Sequence, residues 1–196
     1  IKNNLQGVAG LLQQIAQRKP EVASAIAEVV GQVQAIAQVY GLQVGTGGPL
    51  NLMNVVEAIT VSVQRTFGRS IRFEVRGAQP QDWALPEAES IPVALTINEL
   101  LTNAVKHSQN APQAQVLCTL ESGDTGVRVL VANIATLPAG FNVAGIPSGV
   151  SGLGLVRALL PRRSASLTLE QLGAQVVATV HLNPPAVVRV DAAAAP

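Results

Sequence analysis

The sequence predicts an α+β protein: an N-terminal antiparallel helical hairpin, then an α/β sandwich with a mixed, mostly antiparallel sheet. Two apolar stripes at helical spacing fill residues 1–40. Alternating strands come in two hairpins in the second half, and between stripes and strands lies a long helix with an unusual polar face. Helices and antiparallel strands in this order suit one sheet covered by helices on one face.

The first stripe is Ile1, Leu5, Val8, Leu11, Leu12 and Ile15, spaced by threes and fours. Lys19-Pro20 ends it, because a residue before proline is pushed out of helical geometry. The second stripe carries Val22, Ile26, Val29, Val30, Val33, Ile36 and Val39. So short a turn makes the two helices an antiparallel pair. A lone pair lacks the surface to bury both stripes. A second copy completing a four-helix bundle through residues 1–40 is one solution, and folding back onto the rest of the chain is the other.

Gly45-Thr46-Gly47-Gly48-Pro49 reads as a boundary. The expected organisation is therefore a hairpin domain over 1–44, a linker over 45–50, a second domain over 51–182 and a loosely ordered tail over 183–196. In the second domain, Asn51 to Phe67 is a helix with Leu52, Val55, Val56, Ile59 and Val63 on one face and Asn51 able to cap it. Ile71, Phe73 and Val75 alternate with Arg72, Glu74 and Arg76, the pattern of a half-buried strand. Pro92 to His107 is a helix with proline in its first turn. Val116 to Glu121 and Val127 to Ala132 form one hairpin, and Leu167 to Leu169 with Val176 to Leu182 form another. Between them runs a glycine-rich stretch, Ala135 to Ser151, then a helix from about Gly152 to Leu160.

Composition removes several classes of function. Hydrophobic residues are 48% and charged residues 13%, which excludes a disordered chain. A net charge of +1 leaves no broad basic surface, so no nucleic-acid partner is expected. The single cysteine, Cys118, excludes an internal disulfide or a cysteine-based zinc site and reads as a core residue. No apolar run is expected to reach the roughly 18–20 residues that a membrane span needs, and the basic-then-apolar layout of a signal peptide is missing. The expectation is a cytoplasmic protein without direct membrane contact.

The chemistry concentrates in Asn98-Glu99-Leu100-Leu101-Thr102-Asn103-Ala104-Val105-Lys106-His107. Glu99, Asn103, Lys106 and His107 fall three or four residues apart and are expected to share one face. A merely solvated face would be richer in Lys and Glu than in asparagine, a poor helix former. A hard cation such as Mg²⁺ takes oxygen ligands and keeps waters, which suits one asparagine carbonyl plus phosphates. The second segment is Ser148-Gly149-Val150-Ser151-Gly152-Leu153-Gly154-Leu155-Val156, where glycines opening a helix bring backbone N–H groups toward an anion.

With these residues in place, a family resemblance appears. Ile1-Lys2-Asn3-Asn4-Leu5-Gln6 resembles the dimerisation helix of sensor histidine kinases of the HWE type. Asn98 to His107 resembles their N box, and Ser151-Gly152-Leu153-Gly154-Leu155 their second glycine box. Over residues 1–182 the resemblance implies a dimerisation and phosphotransfer hairpin followed by a GHKL (Bergerat-type) ATP-binding domain. It also implies ATP and Mg²⁺ as cofactors, a homodimer, and a response-regulator receiver domain as partner.

Carried over, Asn103 would hold Mg²⁺, Lys106 and His107 would contact phosphates, and Glu99 would be the polar or general-base residue. Gly152, Leu153, Gly154 and Leu155 would pass beside the phosphates under a lid of about residues 139–151. The chain departs from the family twice. The phosphoacceptor histidine belongs two residues before Ile1, outside this sequence, so a truncated protein is expected. The first glycine box, Asp-x-Gly-x-Gly in the family, reads Asn133-Ile134-Ala135-Thr136 here, and a threonine of the pocket is replaced by Gln175. The implied function is the catalytic core of a sensor histidine kinase. The alternative is a non-catalytic phosphotransfer or scaffold protein with a degenerate nucleotide site.

Overall fold

A computed structural model of the chain describes residues 1–44, 48–108, 115–150 and 152–190. Two long helices, α1 (Lys2–Arg18) and α2 (Ala23–Gln43), form the expected hairpin across a short 3-10 turn at Pro20–Val22. On α1 the positions Leu5, Ala9, Leu12 and Ala16 turn toward α2, while Val8, Leu11 and Ile15 stay exposed. The apolar stripe read from the sequence is thus two adjoining stripes, of which only one is covered.

The other side of α2 folds back. It packs on α3 (Leu52–Phe67) and on α4 (Glu87–His107). Ala35 and Val39 lie in the same core as Leu52, Val56, Ile59, Ile97 and Leu101. Each fully buried Leu, Ile or Val contributes about 1.5–3 kcal/mol relative to exposure. With the turn before it, α2 (residues 20–43) is long and apolar enough to cross a membrane by length and composition, with a mean hydropathy of 1.3. This corrects the expectation that no apolar run reaches that length, because the valines, isoleucines and alanines of α2 outweigh the glutamines that interrupt them.

Asn51 caps α3 as expected, its side-chain oxygen accepting the Asn54 N–H at 3.1 Å. The helix stops at Gly68, which takes the left-handed conformation at φ 61°. The fourth helix corrects the sequence reading: α4 starts at Glu87, five residues before Pro92, so the proline lies inside it rather than at its start. Glu87 and Glu89 in the first turn suit the positive end of the helix dipole, and the Ser90 hydroxyl donates to the Pro86 carbonyl at 3.0 Å.

Five strands make the main sheet: β2 (Ile71–Gly77), β4 (Val116–Ser122), β5 (Val127–Ile134), β6 (Ala165–Leu172) and β7 (Gln175–Leu182), in the order β2-β4-β5-β7-β6. Only β2 and β4 run parallel, so the sheet is mixed and mostly antiparallel. Helices α3 and α4 pack on it. At its far end Arg76, Glu121 and Arg128 form a cross-strand ladder of ion pairs at 3.8 and 2.7 Å.

A second, three-stranded sheet joins β1 (Leu50–Asn51), β3 (Trp83–Leu85) and β8 (Val188–Arg189). It corrects the expected tail. Through residue 190 the segment is tied down, with Ala186 and Val187 fully buried and the Arg189 guanidinium 4.9 Å from the centre of the Trp83 ring. Residues 191–196, and 45–47 of the expected linker, lie outside the described residues.

Candidate functional site

Successive residues on a helix turn by about 100°, so Lys106, Glu99, Asn103 and His107 occupy an arc roughly 100° wide. Two different neighbours divide that arc. Asn103 and His107 line a cavity of about 520 Å³ between α4, β5, β7 and the segment after β5. Glu99 and Lys106 instead face α2, where Gln32 Nε2 donates to Glu99 Oε1 at 3.3 Å and Lys106 Nζ sits 3.5 Å from Glu28. The four residues expected on one functional face therefore serve two surfaces.

The sheet wall of the cavity follows from strand periodicity. Val131, Asn133 and Ala135 alternate toward it from β5 and the residue just past it, and Val176 and Ala178 do so from the neighbouring β7. Gln175 falls on the opposite phase of β7, is exposed, and is no part of this wall. Thr136, Leu137, Pro138 and Phe141 close the mouth, and Gly152 and Leu153 come from α5 (Gly152–Leu159). Gly154 and Leu155, the later glycine-box positions, lie off the wall.

Gly154 has another task. A Cβ there would lie 2.9 Å from the Pro147 carbonyl and 3.0 Å from the Gly149 nitrogen, so only glycine lets the lid backbone rest on α5. Arg157 clamps the same lid, donating to the carbonyls of Ala144 (2.8 Å) and Ile146. The lid contains one short 3-10 turn, Val143–Gly145, whose start is capped by Asn142. Ser151 lies outside the described residues.

Glu99 is the charged centre of the hairpin-facing surface. It is 3% exposed, and its second oxygen accepts the Gly152 N–H at 3.1 Å. The helix N-terminus expected to meet phosphate thus already donates one N–H to a protein carboxylate. Burial raises the Glu99 pKa above the ordinary value of 4.5; the hydrogen bonds from Gln32 and Gly152 oppose the shift, Glu28 adds to it, and Lys106 offsets part. Gln32 was not singled out by sequence reasoning, yet it bridges Glu99 and the Val150 carbonyl at 3.3 Å each. Its only signal is an amide in an apolar helix, repeated at Gln34 and Gln38.

Among the described residues no three His, Cys, Asp or Glu side chains gather as a metal cage. Asn103, half-buried on the cavity wall, fits a Mg²⁺ that takes one protein oxygen and completes its shell with phosphates and water. Asn133 is 5% exposed, and among the described residues its Nδ2 has no hydrogen-bond partner. A buried unpaired amide is costly, about 1–3 kcal/mol, unless something entering the cavity satisfies it. Cys118 is fully buried in β4, with its thiol pushed up to about 12 by burial, as suits a core residue.

Solved structures share this fold. The histidine kinase domain of the Erythrobacter litoralis EL346 blue-light activated histidine kinase is similar at a TM-score of 0.64 and 19% identity, over 93% of this chain and 87% of that one. Acinetobacter baumannii histidine kinase AdeS is similar at 0.57 and 13% identity, over 93% and 94%. The catalytic domain of histidine kinase ThkA is similar at 0.51 and 20% identity, over 67% and 89%. At such identities the fold is what is shared. No curated protein sequence matches the chain. The family profile described as a histidine kinase-like ATPase domain matches residues 65–176, which takes in β2, α4, β4, β5, the lid, α5 and β6. All of the cavity lining except Ala178 lies inside that span, and the chain belongs to the histidine kinase-like ATPase domain family.

Proposed function

We propose that the chain is the catalytic core of a two-component sensor histidine kinase that binds Mg-ATP in the cavity between α4 and the sheet. The observation that carries this is the convergence on one apolar cavity of a buried unpaired amide (Asn133), a half-buried asparagine (Asn103) and a lid held down on α5. The base would enter between Val131, Val176, Ala178 and Leu153 and meet Asn133, and the phosphates would leave toward Asn103 and His107. Bound Mg²⁺ would neutralise phosphate charge, which with positioning is most of what phosphoryl transfer requires.

In the proposed reaction an imidazole nitrogen forms a bond to the γ-phosphorus as the bond to the β-phosphate oxygen breaks, and ADP leaves. Glu99 would take the imidazole proton on a carboxylate oxygen, a reading supported by its facing the hairpin rather than the cavity and by burial raising its proton affinity. Neither His107, at the cavity, nor His181, on β7, lies on the hairpin, so neither is proposed as the accepting histidine. The phosphoryl group would then pass to a response-regulator aspartate. Homodimerisation would occur through the uncovered face of the hairpin.

The test is calorimetric titration of ADP with Mg²⁺ into the parent and into Asn103→Ala. Binding by the parent, and a loss of about tenfold or more in the variant with melting nearly unchanged, is expected. That loss corresponds to about 1.4 kcal/mol. Equal affinity in both proteins, with and without Mg²⁺, would remove Asn103 from the site. No binding at all would favour the second reading, a phosphotransfer or scaffold protein with a decayed pocket. Ala135 supports that reading, since it stands where the resemblance expects glycine.

A further inference from the structure

We infer that the cavity reads its base through the Asn133 carboxamide and so accepts 6-oxopurine nucleotides, of the guanine type, alongside 6-aminopurine nucleotides. This rests on the nucleotide reading of the same cavity. Asn133 is the one buried polar side chain on the cavity wall among the described residues; Leu100, Ala104, Val131, Ala135, Val176 and Ala178 supply the rest of its buried lining. Its place in the alternation Val131, Asn133, Ala135 turns the side chain into the cavity. Among the described residues Nδ2 has no partner, and no hydrogen bond fixes which way the amide plane points.

A carboxamide carries an acceptor and two donors on adjacent atoms. Adenine presents a donor at its 6-amino group beside the N1 acceptor, and the amide answers with oxygen to the amine and Nδ2 to N1. Guanine presents the reverse, a 6-oxo acceptor beside an N1 donor. A half-turn of the Asn133 amide about its last side-chain torsion answers that edge equally well. An ionised carboxylate has no such freedom: it only accepts, so it pairs with the amine and repels the 6-oxo oxygen. A site that must hydrogen-bond one edge rejects the other strongly because a mismatch leaves buried groups unpaired. The amide removes that mismatch, and apolar neighbours cannot restore it.

The test uses ADP and GDP, each with Mg²⁺, titrated into the parent chain by calorimetry, then into Asn133→Asp and Asn133→Ala. The parent is expected to bind both within about tenfold of each other. Asn133→Asp is expected to tighten ADP and weaken GDP, opening the ratio by at least another tenfold, while Asn133→Ala weakens both. ADP binding with GDP more than a hundredfold weaker in the parent overturns this inference and leaves the nucleotide site standing. Binding of neither overturns both. The parent measurement alone decides the case if a variant fails to fold.

Discussion

Glu99 shows most directly how a single side chain records its surroundings. Its carboxyl is raised because burial disfavours the charge, although Gln32 and Gly152 both donate to it. The groups that face it are Glu28 and Gln32 from α2, Lys106 from its own helix, and Gly152 from α5. An acid with a raised native pKa holds its proton more tightly folded than unfolded. Its contribution to stability is therefore fully present below about 4.5, the ordinary value, and is lost as pH rises through the raised native value. Glu99→Gln deletes this titration. The variant is expected to gain stability relative to the parent as pH rises through that window, and paired denaturation curves at several pH values check it. A constant difference across the window would mean that Glu99 titrates normally. The identity of this residue was legible in the sequence. Its direction was not, because an arc of helix says nothing about which neighbour covers which edge.

Between elements, the lid depends on contacts that carry no obvious motif. Gly152 opens α5 at φ 59°, a conformation side chains rarely adopt, and Gly154 leaves room for Pro147 and Gly149. Gly154→Ala would force a methyl group against lid backbone, which cannot swing aside like the end of a side chain. Overpacking of this kind costs about 1–3 kcal/mol. The expected result is faster hydrogen exchange across residues 142–150 and weaker ADP binding, with the sheet's exchange unchanged. Unchanged lid protection would show that the lid does not rest on α5. The glycine box was readable as a segment, yet of its four expected ligand positions only Gly152 and Leu153 reach the cavity. The second half of the motif holds the lid, and that division depends on how α5 rolls against α4.

For the whole molecule, the open question is what covers the hairpin. Its inner side is part of the common core through Ala35 and Val39, so the hairpin and the sheet domain share one interior. Its outer side leaves Val8, Leu11, Ile15, Val22 and Val29 between 38% and 62% exposed, a row of large apolar groups rather than scattered singles. Of the two outcomes left open by the sequence, folding back is seen on one side of α2, while the outer stripe stays exposed. The parent is expected to be a dimer by light scattering at micromolar concentration, and Leu11→Glu a monomer. Because Leu11 is 62% exposed, helix content should stay within error and monomer stability within about 0.5 kcal/mol. A parent already monomeric, with its helices intact, would overturn the dimer.

By itself the sequence determined the hairpin, the capped helix α3, both strand hairpins and the two motif segments, because each is written in local periodicity and in proline, glycine or asparagine signals. The tertiary structure decided the rest. It started α4 five residues early, since favourable first-turn charge and packing outweighed the proline signal. It buried Ala186 and Val187 in what composition marked as a loose tail, because strand β8 finds its partner β3 a hundred residues away. It turned Gln175 out of the cavity and Asn133 in, a choice strand phase makes only once register is set. Finally, it placed Glu99 and Lys106 against α2 and Asn103 and His107 on the cavity. Helical spacing limits those four residues to one arc, and only the packing of neighbours on either side of that arc assigns each to its surface.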